Sequence, residues 1–350
     1  MANLLDYAEK YGDLSFKEKP FTEVDNVIFS LLAYLDYSHT HINENCHSLA
    51  EIGHEYLLKH DYKTVRKMGV EKGCAYTMLK AAIGYRRYRD VIVKDYVYNA
   101  RRDMQFSVMT FQLMRGLEFI SFEGTDQLIS SWREDFDLAC SFPVPSHIEA
   151  TNYFNEHVKL FGPKVILGGH SKGGNMAFVA AMMMDRLKYR RVQKIYNNDG
   201  PGLRRAEFES KDFQRIQKKY IHIVPHCSVV GVLMRNSNYR VIKSDKENIL
   251  GHSEMTWQVT DDHFTRARRS ERSLEIERRV WTWLDGHNDA DRKKLLEAVF
   301  GTIEGCDILD TMSLIKMRNI VKVIRSARGL DKESKDIVLS LLKTVALKRK

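Results

Sequence analysis

The spacing of hydrophobic residues divides the chain into three parts. In residues 1–88 they recur at helical intervals, most clearly in EVDNVIFSLLAYLD at 23–36. Residues 89–263 combine alternating and short continuous apolar runs with helical segments, and residues 264–350 are helical again. The pattern therefore predicts an N-terminal helical segment packed on a core, an α/β core, and a C-terminal bundle of about four helices.

The middle part of the chain alternates strands with helices. Its strands are predicted at 90–98, 105–114, within GLEFISFEGTD up to Gly124, and at 164–168, 192–197 and 220–225, with helices at 145–160 and 174–188. Strands that alternate with helices usually form a largely parallel sheet that is covered on both faces. We therefore expect an α/β fold with a mostly parallel sheet flanked by helices.

The positive charge of the chain is concentrated near its C-terminus. The net charge is +9, and residues 264–350 contribute 20 Lys and Arg against 13 Asp and Glu. A basic segment can contact nucleic acid or anionic lipid. The mixed signs favour solvated helical faces, argue against nucleic acid, and leave peripheral contact with an anionic membrane open. The pattern does not indicate an oligomeric state.

Cysteine usage and hydropathy bear on the compartment. The five cysteines lie far apart and form no CxxC motif, which argues against a disulfide framework or a zinc site. The N-terminus has no apolar stretch typical of a signal peptide, and the sequence has no run of 18 apolar residues. These features predict a cytoplasmic protein that needs no metal or cofactor.

The strongest candidate chemistry lies in the segment Gly169-His170-Ser171-Lys172-Gly173, which fits the pattern G-x-S-x-G. The buried strand KVILG precedes it and a strong helix follows. That is the setting of a nucleophile elbow, the sharp strand-to-helix turn that presents a catalytic serine. Glycines at 169 and 173 avoid clashes in this turn, and a tight phosphate-binding turn is the alternative. We predict Ser171 as the nucleophile.

A nucleophilic serine needs donors for the oxyanion that forms on its substrate. The backbone N–H of Lys172, at the start of the helix, is one candidate. The second should come from a loop after an earlier strand. Thr125 lies in such a loop, after LEFIS, and its hydroxyl could fix the loop. An ordinary turn is the alternative.

Ser171 also needs a base and an acid that orients the base. In hydrolases with a nucleophile elbow, the acid follows the serine and precedes the histidine in the chain. His252 lies in a loop-like stretch after the last predicted strands and is the preferred base, with His263 second. Asp199, in a turn-rich loop after a strand, is the preferred acid. Asp261, with its neighbour Asp262, is an alternative that breaks the expected order.

Five motifs of the chain can be considered together. They are SFEGTD (121–126) with Trp132, Glu134, Asp135 and Phe136, then GGHSKGGNMA (168–177), YNNDGPGL (196–203), IVPHCSVVGVLM (223–234) and GHSEMTW (251–257). Together they resemble the class 3, fungal-type lipases, and more closely a bacterial family of lipase-like α/β hydrolases of largely unknown function. The resemblance covers about residues 20–263.

The resemblance implies an α/β-hydrolase fold, with Ser171 as nucleophile, His252 as base and the Thr125 loop as oxyanion donor. The chain departs from the class 3 pattern at two positions. Glu123 stands where those lipases usually have arginine, and Ser228 stands where their catalytic aspartate would fall. Either the acid has moved to Asp199 or the triad lacks a carboxylate.

These features predict a lipase-like or esterase-like serine hydrolase that works through an acyl-enzyme intermediate. Its substrate would be a lipid or small-molecule acyl ester. A catalytically weak hydrolase-fold protein that acts as a binding or scaffolding module is the first alternative. A thioesterase or phospholipase that works at a membrane surface is the second.

Overall fold

The computed structural model describes residues 1–44, 46–101, 104–126, 129–308, 311–314 and 316–347. Its strands are β1 (His47–Ser48), β2 (Ile92–Arg101), β3 (Met104–Met114), β4 (Leu117–Phe122), β5 (Lys164–Gly169), β6 (Val192–Asn198), β7 (Tyr220–Pro225), β8 (Tyr239–Ile242), β9 (Val259–Thr260) and β10 (His263–Phe264). Its helices are α1 (Leu4–Tyr11), α2 (Glu23–Leu32), α3 (Leu49–Lys59), α4 (Tyr62–Met68), α5 (Val70–Ala82), α6 (Arg86–Arg89), α7 (Ile129–Asp137), α8 (Pro145–His157), α9 (Lys172–Met183), α10 (Arg186–Tyr189), α11 (Arg205–Phe208), α12 (Lys211–Ile216), α13 (Glu271–Gly286), α14 (Asp289–Glu304), α15 (Thr311–Leu314), α16 (Met317–Ser326) and α17 (Lys332–Leu347). Single 3-10 turns cover Asn248–His252, Glu254–Thr256 and Ala327–Gly329.

Within these ranges, strands β1 to β8 form a sheet in which spatial order follows chain order. Strands β1 to β4 pair antiparallel, whereas β4 to β8 pair parallel, with helices in the connections between β4 and β7. Strand β9 pairs with β10 in a separate hairpin. The parallel part places the ends of β4, β5, β6 and β7 along one edge, where loops can converge.

The two faces of the sheet bury different sets of helices. Along β4, Phe119 belongs to one hydrophobic cluster and Ile120 to the other, as the two-residue period of a strand requires. The first cluster joins the sheet to the N-terminal helices, including Phe29 of α2. The second joins it to α8, α9 and α12, including Phe178. Both faces of the sheet are therefore buried, which explains the near-continuous apolar runs of the central strands.

Helix α2 is fixed at its start by a buried ion pair. Thr22 is its N-cap, and the Asp25 carboxylate returns to the Thr22 backbone N–H in a capping box. The same carboxylate accepts hydrogen bonds from Arg87 at 2.6 and 2.8 Å, and both side chains are fully buried. Arg87 also donates to the carbonyl groups of Leu14 and Lys19, which ties the connection between α1 and α2 to α6.

The C-terminal helices pack around α7. Ile129, Trp132 and Phe136 of α7 lie in one cluster with Val299 and Phe300 of α14 and with apolar residues of α15, α16 and α17. The Phe136 and Phe300 rings meet edge to face at 5.4 Å between centroids. Helix α7 therefore connects the C-terminal helices to the loop after β4.

The structure confirms the predicted α/β-hydrolase fold with its mostly parallel sheet. Several boundaries differ from the prediction. Helix α2 ends at Leu32 rather than at 36, because the chain turns there, and the helix predicted at 174–188 is divided into α9 and α10 at Met184. Helix α7 and strand β8 were not predicted. In the described part of the chain, no helix is long and apolar enough to cross a membrane.

Candidate active site

The candidate residues gather at the carboxyl edge of the parallel strands. Ser171 follows β5 by two residues, Asp199 follows β6 directly, and Thr125 and Ser228 each lie three residues beyond β4 and β7. In α/β sheets ligands bind at this edge, where loops from several strands meet. Residues that are distant in the sequence therefore become neighbours through the sheet order alone.

Ser171 occupies a strained backbone conformation, with φ of 56° and ψ of −131°, at the N-cap of α9. The turn is possible because it is lined by glycine. A Cβ at Gly173 would lie 2.2 Å from the Phe122 carbonyl oxygen, and one at Gly169 would lie 2.4 Å from the backbone of Gly173. The Ser171 N–H donates to the Asn198 carbonyl at 2.9 Å, which joins this elbow to the end of β6.

Asp199 lies against His252. Its Oδ2 is 2.7 Å from Nδ1 of the imidazole, and both side chains are buried. A carboxylate oxygen accepts, so Nδ1 carries the hydrogen and Nε2 remains to act as a base. The ring of His252 lies 4.3 Å, between centroids, from the ring of His170, the residue before Ser171. The structure thus brings the preferred base and the preferred acid together beside the elbow.

Ser228 lies at the class 3 aspartate position and contacts Asp199. Its hydroxyl donates to Oδ1 of Asp199 at 2.5 Å, and the Gly231 N–H donates to the same oxygen at 3.1 Å. Burial raises the pKa of Asp199 to about 7, while these two hydrogen bonds oppose the rise. The Asp199 carboxylate therefore lies beside the position where the class 3 pattern would place its aspartate.

The other candidate acids and the second candidate base lie elsewhere. Asp261 is exposed, pairs with Lys10 at 2.7 Å and also accepts a hydrogen bond from the Tyr11 hydroxyl. Asp262 pairs with Lys19 at 2.8 Å. His263 is exposed and lies 3.2 Å from Asp262. The structure does not bring Asp261 together with His252, because the β9–β10 hairpin places it against α1.

The loop after β4 lies against the elbow. A Cβ at Gly124 would lie 2.7 Å from the His170 carbonyl oxygen, so this loop passes the elbow at backbone contact. The Thr125 hydroxyl donates to Asp135 of α7 at 2.6 Å, and Gln105 of β3 accepts from the Asp126 N–H at 2.9 Å. The backbone of Thr125 is therefore held from two sides. The Lys172 N–H lies in the first turn of α9, where helical N–H groups lack intrahelical partners.

The Lys172 side chain is buried and contributes to the support of the same loop. Its Nζ donates to Glu134 of α7 at 2.8 Å and to the Gln105 carbonyl at 3.3 Å, and the side chains of Lys172 and Glu134 are 1% and 2% exposed. Burial alone would lower the pKa of Lys172, but Glu134 and Asp135 outweigh it and raise that pKa. This ion pair connects the elbow to α7.

Removing one member of this buried pair should be costly. We expect Glu134→Gln to lower the free energy of unfolding by about 3 kcal/mol, because it leaves the Lys172 charge buried without its main partner. The matched control is Arg133→Gln on the same helix. Its ion pair with Glu304 at 3.2 Å is largely solvent-exposed and should be worth less than about 1 kcal/mol. Urea titration measures both, and equal losses would contradict this assignment.

Glu123 is also buried, at the start of the loop after β4, at 2% exposure. Burial raises its pKa to about 7, and the nearest charge that opposes the rise is Lys72, whose Nζ lies 3.6 Å from Oε1. Lys72 belongs to α5. An N-terminal helix therefore supplies the positive charge that lies beside Glu123.

His170 was predicted from the sequence only as a member of the elbow, with no role of its own. In the structure its Nε2 donates to the His252 carbonyl at 2.9 Å, and its Nδ1 lies 2.8 Å from the Tyr34 hydroxyl. Burial lowers the pKa of His170 to about 3, so its ring is neutral at pH 7. The Trp257 ring N–H donates to the Gly251 carbonyl at 2.9 Å. Two donors therefore hold the backbone that carries the base.

Helix α2 forms hydrogen bonds with Asn198, the residue before Asp199. Asn198 exchanges hydrogen bonds with Asn26 at 2.8 and 3.3 Å and donates to Ser30 at 3.1 Å. All three side chains are buried. In the sequence, this contact is indicated only by the polar residues Asn26 and Ser30, which lie among the apolar residues of the predicted helix. They imply a buried partner but do not identify it.

Three side chains in the described part of the chain have ligand atoms close enough for a metal ion: His226, Cys227 and Glu247, within 4.8 Å of one another. The Cys227 thiol donates to the Lys246 carbonyl at 3.2 Å, and burial raises its pKa to about 12. Metals bind the thiolate, so these residues fit a metal poorly as they stand. His226 instead pairs with Glu247 at 3.0 Å.

The chain is similar to a protein family and to a solved lipase structure. The chain is similar to the crystal structure of M37 lipase at 12% identity, over 92% of this chain and 98% of that one, with a TM-score of 0.39. Comparison with curated proteins gives no match. The model of the Mbeg1-like family matches residues 83–301. The match begins after most of the N-terminal helices and extends into α14, whereas the sequence resemblance suggested about 20–263. Since the match covers more than half of the chain, the chain belongs to the lipase-like Mbeg1-like family.

Proposed function

We propose that the protein is a serine hydrolase that cleaves acyl esters through an acyl-enzyme intermediate. The main support is the 2.7 Å contact between Asp199 and Nδ1 of His252, beside a serine in a strained elbow. A carboxylate on Nδ1 fixes the imidazole tautomer and stabilises the imidazolium that forms during proton transfer. This contact supports Asp199 as the acid, the member of the triad for which the sequence left alternatives open.

The steps follow from these positions. Nε2 of His252 takes the Ser171 proton as Oγ attacks the acyl carbonyl carbon. The backbone N–H groups of Lys172 and Thr125 stabilise the oxyanion. The intermediate then collapses, the bond to the leaving oxygen breaks, and His252 returns the proton to the alcohol. Water, deprotonated by His252, hydrolyses the acyl-enzyme and regenerates Ser171.

The alternative of a binding or scaffolding module drew its strength from a missing acid. The position of Asp199 speaks against that reason, because three hydrogen-bond partners on a fully buried carboxylate favour a catalytic arrangement. Hydrolysis of a thioester or phospholipid would use the same residues and stays a prediction. The predicted cytoplasmic location also stays a prediction.

A panel of p-nitrophenyl esters of increasing acyl length tests the proposal. We expect time-dependent release of p-nitrophenol by the purified full chain. An initial burst of about one equivalent would appear if deacylation is slower than acylation. The dependence on acyl length then reports the depth of the acyl site. A folded protein that hydrolyses none of the esters above the uncatalysed rate would contradict the proposal.

A further inference from the structure

We propose that helix α16 is a docking surface for anionic lipid bilayers. Around this helix, residues 311–330 contain five basic residues and no acidic one. These five are Lys316, Arg318, Lys322, Arg325 and Arg328, all of them exposed. Within the described ranges, none of the five forms an ion pair. By contrast, the exposed Arg279 of α13 is paired with Glu275, and the largely buried Arg292 of α14 is paired with Asp289.

Helix α16 carries apolar residues both towards the C-terminal cluster and towards solvent. Val323 is fully buried in the C-terminal cluster, and Ala327, which follows the helix, is 6% exposed there. Val321 and Ile324 are 39% and 41% exposed. They are three residues apart and so lie on one side of the helix. One turn further along lie Arg325 and Arg328, so each exposed aliphatic residue has an arginine beside it.

This arrangement suits a bilayer surface better than another polyanion. Aliphatic side chains flanked by Lys and Arg can enter the boundary between headgroups and acyl chains while the cations contact lipid phosphates. A nucleic acid would gain from the cations but not from exposed Val321 and Ile324. The helix is also held in place by Val323, so the surface exists before the partner arrives.

The docking surface is connected to the candidate active site through α14 and α7. Val323 shares a cluster with Val299 and Phe300 of α14, which contact α7. Helix α7 in turn supplies Glu134 and Asp135 to Lys172 and Thr125. Docking would therefore occur on helices that support the oxyanion loop. It does not depend on hydrolysis by Ser171.

Vesicle co-sedimentation of the full chain tests the docking surface. We expect binding to vesicles of phosphatidylglycerol mixed with phosphatidylcholine, no binding to phosphatidylcholine alone, and loss of binding at high salt. Arg325→Gln/Arg328→Gln should weaken the binding at least about tenfold. The matched control Arg278→Gln/Arg279→Gln removes the same charge from exposed, paired positions on α13 and should change it less than twofold.

Val321→Ser/Ile324→Ser keeps every charge and should also weaken vesicle binding about tenfold. Hydrolysis of a soluble p-nitrophenyl ester should be unchanged in all of these variants. This result would show that the variants fold, and it separates docking from catalysis. If the wild-type protein hydrolyses no ester, circular dichroism tests instead whether the variants fold. Absence of binding to anionic vesicles would overturn the proposal. Equal weakening by the α13 control would do the same. Wild-type affinity of Val321→Ser/Ile324→Ser for anionic vesicles would also overturn it. The same holds if single-stranded RNA abolishes vesicle binding while Val321→Ser/Ile324→Ser leaves that binding unchanged.

Discussion

Replacing Ser171 with alanine is expected to lower kcat/KM for a soluble ester by at least about 10⁴-fold. Alanine keeps the elbow but removes the only atom that would form the acyl-enzyme. The residual rate would come from the oxyanion donors and from substrate binding, which remain. Steady-state hydrolysis of the best p-nitrophenyl ester measures the effect, and the burst should vanish with it.

The control for this variant is Ser253→Ala. Ser253 follows the base, but its hydroxyl contacts Cys74 of α5 at 3.9 Å and has no place in the proposed reaction. We expect its kcat/KM to remain within about twofold of the wild type. A Ser171→Ala protein that retains more than a tenth of the wild-type rate would show that another group performs the hydrolysis.

Replacing Asp199 with asparagine is expected to lower kcat about 10³- to 10⁴-fold with a much smaller change in KM. The amide can donate to Nδ1 of His252, which favours the wrong tautomer, and it cannot stabilise the imidazolium. Asp261→Asn is the matched control, because it removes one carboxylate from the surface beside Lys10. It should leave kcat within about twofold of the wild type.

A second arm of this prediction uses the contact between Ser228 and Asp199. Because the Ser228 hydroxyl lies 2.5 Å from the carboxylate, an acid at position 228 should reach the same neighbourhood. The double variant Asp199→Ser/Ser228→Asp should therefore recover at least about tenfold of the lost kcat. Equal kcat in Asp199→Asn and Asp261→Asn would remove Asp199 from the proposed triad.

The sequence was sufficient for the local features. The run KVILG and the following helix predicted the elbow, because a strand, a turn and a helix that are contiguous in the chain need no tertiary information. The alternation of strands with helices predicted a mostly parallel sheet that is covered on both faces. Asp199 and His252 were each predicted from a position after a predicted strand, and the structure places them in contact.

Pairing between distant segments could not be predicted. Asp261 seemed possible as an acid because the sequence does not show that the β9–β10 hairpin faces α1. Helix α7 was missed because ISSWREDFD has only a few apolar residues, and these pack on C-terminal helices. Lys72 and Tyr34 reach the site from N-terminal helices, at separations that no local pattern reports.

Covalent labelling with a fluorophosphonate, followed by peptide mass spectrometry, tests the proposed triad most directly. The reagent reacts with a serine only when a base activates it, so the signal reports the assembled site rather than the fold. We predict one adduct on the peptide that contains Ser171 in the folded wild type. Labelling should be slowed at least about 10²-fold in Asp199→Asn and be absent after heat denaturation. A folded wild-type protein that carries no adduct, or carries it on another residue, would contradict the proposed triad.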